Sequence, residues 1–506
     1  MPAKKKSTAS KAKASTKKKT TAKKSVTKPR AKASSGKKMT TKKTTTNKPP
    51  AKKMTPAKTV PTKKTSANTT DEPKVRVNKK TPQLVRGMKD IIPKEERYWL
   101  AVRNKAQEIA QSYCYSYMET PVVEDVNLFQ RSIGKGTDII EKEMYVFEDR
   151  DGSKLALRPE LTASAARAYI VNGFMSMPQP VKTWYVGAMF RHDRPQAGRY
   201  RQFYQFDCEV MGERDPAIDA ELIVVAYNFF RDLGIETEVH VNSIGNVEER
   251  QRYIVELTGY LRSKRSYLSE ESRARITKNP LRVLDSKDPQ DMAVIEEAPQ
   301  IIDWLSETSK SYFMSVLEYL DELEVPYVLT PTLVRGLDYY TDTVFEFFET
   351  ATEEEGGTGL ALGGGGRYDK LIEQLGSAEE VPACGFGLGL DRAVLVLKKQ
   401  AERGALKLEA SGPTVYFAQL GEQARRRAMA LIETLRRDGI MVRHNLAKSA
   451  LKAQLEIANK HSVTHTVILG QKEVQDGTVI IRDMDSGNQE IVDQRKLTNE
   501  LRKIVK

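Results

Sequence analysis

Cysteine is almost missing from this 506-residue chain. Cys114, Cys208 and Cys384 lie far apart and form no CxxC pair. That argues against a disulfide framework or a zinc ribbon and makes reduced thiols in a cytoplasmic setting the expectation. Long apolar runs are missing as well: none approaches the length of a membrane span, and no segment has the order of a secretory signal, so a soluble, internal protein is expected. Acidic residues are missing from residues 1–70, where 23 of the 82 Lys and Arg fall. The other 59 meet 67 Asp and Glu, so the +15 of the whole chain divides into a polycationic end and a body of net charge −8. Basicity belongs to one end and does not mark the whole protein as a nucleic-acid binder.

Residues 1–75 also have almost no aliphatic or aromatic side chains, being Lys, Thr, Ala, Ser and Pro almost throughout. Such a segment cannot bury enough apolar surface to offset the entropy of ordering, and it reads as a disordered Lys-rich tail. It lacks the Arg-rich amphipathic pattern of a transit peptide. Two roles stay open on composition: a tether that holds RNA or DNA phosphates non-specifically, and a low-complexity extension.

The remaining length allows two or three domains. From Pro93 a helix over Glu95 to about Gln111 places Trp99, Val102, Ala106, Ile109 and Ala110 on one side. Tyr113, Tyr115 and Tyr117 then alternate as a strand would. Lys154–Leu157 reads as a strand, and the turn Arg158, Pro159, Glu160, Leu161, Thr162 leads into a helix; a charged, hydroxyl-bearing turn suits a ligand, though Thr162 also suits a helix N-cap. A helix over Pro216–Leu233 and a strand over Glu236–Asn242 follow, then a helix-rich stretch from 246 to about 325, then strands again from Tyr327. The run Gly363–Gly366 lacks the Lys and Ser/Thr of a P-loop and the spacing of a dinucleotide fingerprint, leaving close approach to a ligand or a tight turn. Gly385–Arg392 reads as strand into helix, with Arg392 at the helix start suited to phosphate. From Gly412 alternating strands and helices form a small α/β unit with partly parallel pairing. His461 and His465 are four apart but straddle a helix-to-strand junction, so no metal is expected there.

The chemistry concentrates in Trp184–Gly212, a hairpin of two aromatic-rich strands around Pro195 and Gly198. Arg191, Arg194, Arg199 and Arg201 crowd its loop, while Phe203, Gln205, Asp207 and Glu209 share one face of the returning strand. Guanidinium forks beside carboxylates suit one ligand with an anionic and a cationic end; a solvated basic hairpin is the alternative on composition alone.

Seven motifs in order resemble those of histidyl-tRNA synthetases of class II: RGMKDIIP at 86–93, LRPELT at 157–162, MFRHDRPQAGRYRQF at 189–203, NPLRVLDSK at 279–287, LVRGLDYYT at 333–341, ALGGGGRYD at 361–369 and GFGLGLDR at 385–392. The likeness spans roughly residues 82–506. It departs at Asp391, where the family usually has Glu, and in the basic tail. The resemblance implies an α+β fold: an antiparallel sheet flanked by helices as catalytic domain (76–245 and 326–405), a helical insertion (246–325) and a C-terminal α/β anticodon-binding domain (412–506). It implies a homodimer joined through the Glu95 helix and the following strand. It implies adenylation of L-histidine by ATP, with magnesium on the outer phosphates, and transfer of histidine to the 3′ end of tRNA(His). Arg191 and Arg335 would meet the α-phosphate from two sides. Arg199 and Arg392 would hold the outer phosphates, and Phe203 would stack on adenine. Glu160, Leu161, Thr162 and Gln205 would hold the amino end of histidine, Glu209 and Tyr340 would read the imidazole, and Tyr339 would line that pocket. His192 is expected to be a structural loop residue. A histidine-sensing regulatory subunit of ATP phosphoribosyltransferase shares the fold, but such proteins typically lack the equivalents of Arg335 and residues 412–506.

The two readings of the tail part in one experiment. If it is a tether, deleting residues 1–75 flattens the salt dependence of tRNA affinity; an unchanged slope identifies an extension.

Overall fold

The computed structural model describes residues 81–134, 136–196, 198–350, 359–405 and 414–504, so the Lys-rich segment 1–75 lies outside the described residues. A 3-10 turn at Pro93–Glu95 leads into α1 (Glu96–Ser112), which buries Tyr98 together with the five apolar residues expected from its periodicity. The expected tyrosine strand shrinks to β1 (Ser116–Tyr117). Cys114 takes a left-handed φ of 61°, and the N–H groups of Tyr113 and Tyr115 turn back to the carbonyls of Ile109 and Ala110. Satisfying the open end of α1 thus outweighs the alternation.

Next come β2 (Val123–Asp125), α2 (Val126–Ser132), β3 (Tyr145–Glu148) and β4 (Lys154–Leu157), the strands forming a small antiparallel sheet in the order β2-β4-β3. After α3 (Thr162–Val171) the hairpin follows as β5 (Val181–Phe190) and β6 (Gln202–Met211), then α4 (Pro216–Asp232) and β7 (Thr237–Ser243). The helix-rich stretch holds α5 (Val247–Ser263), α6 (Glu270–Lys278), α7 (Leu281–Leu284), α8 (Pro289–Glu296) and α9 (Glu307–Glu322). Then come β8 (Tyr327–Leu329), β9 (Thr341–Glu349), β10 (Ala361–Arg367), α10 (Leu371–Leu375), β11 (Ala383–Gly389) and α11 (Leu390–Glu402).

These strands join in one eight-stranded sheet ordered β1-β5-β6-β11-β10-β9-β7-β8, antiparallel except for the parallel edge strands β1 and β8. Alternation along each strand divides its faces. Phe206, Cys208 and Val210 of β6 pack with Phe386, Leu388, Phe345 and Phe347 under α1, α4, α9 and α11, which leaves Gln205, Asp207 and Glu209 on the opposite face. Helices α5 to α8 instead share a core with Leu333, Val334, Tyr339 and Tyr340, so their packing is continuous with the segment before β9. The run Gly363–Gly366 is neither a tight turn nor a loop: it is the middle of β10, pressed between β9 and β11. A Cβ at Gly365 would lie 2.0 Å from the carbonyl oxygen of Gly385, so the strand fits there only without side chains.

The C-terminal unit runs β12 (Val415–Gln419), α12 (Glu422–Arg437), β13 (Val442–His444), α13 (Leu451–Lys460), β14 (His465–Leu469), α14 (Gln471–Asp476), β15 (Thr478–Asp483), β16 (Gln489–Asp493) and α15 (Leu497–Ile504). Its sheet, β13-β12-β14-β15-β16, is parallel over the first three strands and antiparallel after them, with its own apolar core. His461 caps α13, and His465 opens β14 beside Thr464 and Asp483.

Arg367, at the end of β10, is fully buried, donating to Asp219 of α4 and, at 3.0 Å, to Asp369. Removing one side of such a cluster strands the other in a low-dielectric interior. Arg367→Met is expected to lower the unfolding free energy by about 3–5 kcal/mol. Urea titration followed by tryptophan fluorescence checks this, since Trp99, Trp184 and Trp304 all precede the C-terminal unit.

Candidate active site

The polar face of β6 lies beside a strand with no side chains on that side. Gly385, Gly387 and Gly389 of β11 pair with Glu209, Asp207 and Gln205. A Cβ at Gly385 would lie 1.6 Å from Glu209 Oε2, and one at Gly387 would lie 2.5 Å from Gln205 Nε2 and 2.7 Å from Asp207 Oδ1. The glycines leave the β6 side chains room to lean over β11. The result is a cavity of about 380 Å³, lined from one side by Glu160, Thr162, Gln205, Asp207, Tyr339 and Tyr340 and from the other by Arg191, Arg199, Phe203, Arg335 and Arg392.

One end is acidic. Glu160, at the turn before α3, accepts the Ala163 N–H at 3.0 Å and the Tyr339 hydroxyl at 3.5 Å. The N-cap position falls on Leu161, with Thr162 as the first helical residue, so the Thr162 hydroxyl is free to donate to Glu209 Oε1 at 2.6 Å. Tyr368 donates to the other oxygen of Glu209. Burial raises all three carboxyl groups: Glu160 and Asp207 upward, and Glu209 to about 8, with Thr162 and Tyr368 pulling against the rise and Glu160 adding to it. Asp207 Oδ2 and Gln205 Oε1 are buried without a hydrogen-bond partner. An end of this kind is matched to a cationic ligand that donates several N–H groups.

The other end is basic. Arg191 Nε donates to Pro159 O at 2.8 Å, and its guanidinium lies 5.4 Å from the Phe203 ring centre. Arg335 pairs with Glu346 of β9 at 3.4 Å, and its Nε is buried without a partner. Burial works against its charge, but Glu346 and Tyr340 outweigh this and hold the guanidinium above its usual value. Gly364 makes room for it, since a Cβ there would lie 3.0 Å from Arg335 Nη1. Arg392, at the start of α11, donates to Gly198 O at 3.2 Å, and burial with the nearby Arg199 lowers it to about 10. Arg199 is half exposed, 3.3 Å from Asp193. Cations crowded together at a partly desolvated site are relieved by an anion.

Of the site residues expected from the sequence, two, Leu161 and Glu209, turn from the cavity. Leu161 packs with Tyr185 and Met189, and Glu209 sits behind Thr162 with both oxygens engaged. His192 stacks edge-on to Tyr145 and its N–H binds Glu143 O, outside the cavity lining. Tyr368, Asp207 and Glu346 were given no role by sequence reasoning. The placement of Asp207 between Gln205 and Glu209 on one strand face was a usable signal. Tyr368 and Glu346 meet their partners across distances of 159 and 11 positions, which no local pattern reveals.

A mostly antiparallel sheet whose face joins buried carboxylates to a row of guanidiniums around one cavity has the arrangement expected of a class II aminoacyl-tRNA synthetase. The family model for histidyl-tRNA synthetase matches residues 87–393, and that for an anticodon-binding domain matches residues 414–504. Histidine–tRNA ligases of Desulforamulus reducens and Dehalococcoides mccartyi (strain BAV1) are 42% and 43% identical, covering 81% and 83% of this chain and 97% and 99% of their own, and the histidyl-tRNA synthetase structure from S. aureus superposes with a TM-score of 0.68 at 31% identity, covering 83% of this chain and 99% of its own. The chain belongs to the histidyl-tRNA synthetase family.

The elevated Glu209 has a consequence for stability. Its folded value of about 8 exceeds the ordinary 4.5, so the folded protein holds this proton more tightly than the unfolded chain. The stability it contributes is full below pH 4.5 and is lost as pH rises to about 8. Glu209→Gln cannot lose it. The melting temperature of the variant should therefore gain on wild type by a few degrees between pH 5 and pH 8, on the order expected for a few kcal/mol; a pH-independent difference contradicts the assignment.

Proposed function

We propose that the chain activates L-histidine with ATP, forming histidyl-adenylate and pyrophosphate, and then transfers histidine to the 3′ end of tRNA(His). The observation that carries this is the convergence of Arg191 and Arg335, 144 positions apart, on the cavity that also holds the acidic end. Histidine supplies the cationic amine and N–H groups that the acidic end calls for, and its carboxylate then faces the guanidiniums. Glu160, Thr162 and Gln205 would hold the amine, with Leu161 fixing the turn that carries the first two. Tyr340 would read the imidazole with Tyr339 beside it, and Glu209, expected to share that role, would act through Thr162 and Tyr368, which engage both its oxygens. A polar pocket of this type rejects apolar amino acids of similar size, because its buried groups would be left unpaired.

No general base is required for activation, since the attacking carboxylate is already ionised. It bonds to the α-phosphorus of ATP, and the bond from that phosphorus to the pyrophosphate oxygen breaks. Arg191 and Arg335 would neutralise charge that builds on the α-phosphate oxygens, and preorganised donors of this kind need no reorientation as the reaction proceeds. Arg199 and Arg392 would receive the outer phosphates, and Phe203, already beneath Arg191, would face adenine. Glu346 is paired with Arg335, and burial raises Glu143, so a magnesium ion would be held mainly by the outer phosphates, where it would neutralise their charge.

Residues 76–245 and 326–405 would form the catalytic domain together with α9, which packs under its sheet, the rest of 246–325 the helical insertion and 412–506 the anticodon-binding domain. A homodimer fits the exposure of Leu100, Tyr117, Val122, Val123, Val146 and Phe147, apolar side chains on and after the first helix that a second copy could cover, and its setting would be the cytoplasm. Among the described residues no helix is long and apolar enough to cross a membrane. The reading as a histidine-sensing subunit leaves Arg335 and the anticodon-binding unit without a purpose.

ATP–pyrophosphate exchange tests the assignment. Exchange should depend on histidine and no other amino acid. Arg335→Ala should lose at least about a hundredfold in rate with its fold intact by circular dichroism; wild-type exchange in that variant would remove Arg335 from the chemistry.

A further inference from the structure

Arg335, Tyr339 and Tyr340 stand on a segment that does little to hold itself. Between Leu333, whose N–H binds Thr330 O, and Thr341, where β9 begins and pairs with Arg367 of β10, the backbone–backbone hydrogen bonding among the described residues is a single bond, Asp338 N–H to Ile133 O at 3.1 Å. Packing holds its two ends, where Leu333, Val334, Tyr339 and Tyr340 are buried in the core shared with α5 to α8, more firmly than its middle. A second cavity of about 430 Å³ lies against α5 and the end of α6, and Val334, Arg335 and Leu337 line both cavities. This stretch is a thin wall, so its point attachments decide where it sits.

The principal attachment near the tyrosines comes from α5. Arg250 Nη1 donates to the carbonyl of Tyr340, and Asn279 Nδ2 reaches Asp338 Oδ1 at 3.3 Å. Arg250 is half-buried; desolvation lowers its pKa while Asp338 and Asp342 oppose the shift. Its own base is firm. Asn246 and Glu249 form a capping box at the start of α5, and Glu249 Oε1 also accepts the Ser306 N–H at 2.9 Å and the Ser309 hydroxyl at 3.1 Å. The bond from Arg250 therefore ties Tyr340 to an element fixed at β7 and α9. Arg335 has a separate brace in Glu346, and Arg199 and Arg392 lie on the hairpin and α11. Releasing Arg250 removes the hydrogen bond that fixes the Tyr340 backbone, leaving the tyrosine end to its packing alone, and keeps the phosphate end braced.

We infer that Arg250 is a positioning residue for histidine selection: it holds the Tyr340 carbonyl and so sets the Tyr340 ring against the substrate side chain. This rests on the reading of Tyr340 as an imidazole contact. The consequence is a split between substrates. A group that acts through Tyr340 alters recognition of histidine and leaves that of ATP unchanged, whereas a general packing defect weakens both.

The test uses the full chain in ATP–pyrophosphate exchange, comparing Arg250→Met, which keeps the apolar stem, with Arg250→Lys, which keeps a charged donor. Arg250→Met should raise the KM for histidine at least tenfold, leave the KM for ATP within twofold and melt within a few degrees of wild type; Arg250→Lys should recover most of the histidine KM. A histidine KM within twofold of wild type in Arg250→Met overturns the inference. So does a parallel rise in both KM values, a failure of Arg250→Met to fold, or a lysine variant no better than methionine. If wild-type protein shows no histidine-dependent exchange, the functional reading fails instead, and the two failures are distinct.

Discussion

Three carboxyl groups share one buried pocket wall, and the structure around them is built to make that tolerable. Glu160, Asp207 and Glu209 are each nearly sealed from solvent, and carboxylates so close together cannot all be ionised without strong compensation. Burial raises all three and repulsion adds to the rise of Asp207 and Glu209, while Thr162, Tyr368 and the Ala163 N–H pull the other way. Space is the second requirement. It is met by Gly385 and Gly387, whose missing side chains would occupy the positions of Glu209 and Gln205. A sheet built for stability alone would fill that face with Val and Ile; here packing gives way to polarity.

The guanidinium end repeats this logic with the sign reversed. Arg392 is lowered by burial and by Arg199, and Arg335 is kept charged by Glu346. Acid cluster and cation row face each other across one cavity, so a ligand positive at one end and negative at the other is oriented before any bond changes. Orientation of this kind is a large part of what a synthetase site contributes.

Much of this was legible in the sequence where the pattern is local. The hairpin, its arginines and the shared face of Gln205, Asp207 and Glu209 follow from strand alternation, and the helix from Glu96 follows from its apolar period. The strand expected over the three tyrosines and the tight-turn alternative for the glycine run failed for physical reasons, while Gly363 and Gly364 do line the cavity. The tyrosines at 113, 115 and 117 alternate, but the end of α1 claims the backbone first. The run Gly363–Gly366 has turn composition, yet its flanking strands approach too closely for any residue with a Cβ, which makes it a strand. The hydrogen bond of Tyr368 to Glu209 and the pairing of Arg335 with Glu346 depend on chain segments meeting in space, and no spacing rule encodes them.

The sequence alone determined which side chains exist to do the chemistry, in what order, and which face of each strand carries them, because alternation and motif order are properties of the chain. Tertiary structure decided which of those groups confront one another. Strand order brought β6 beside β11, setting Glu209 over a glycine, and the helical segment brought Arg250 to the Tyr340 carbonyl. Only that arrangement sets the dielectric and the neighbouring charges of each group, and those set its protonation.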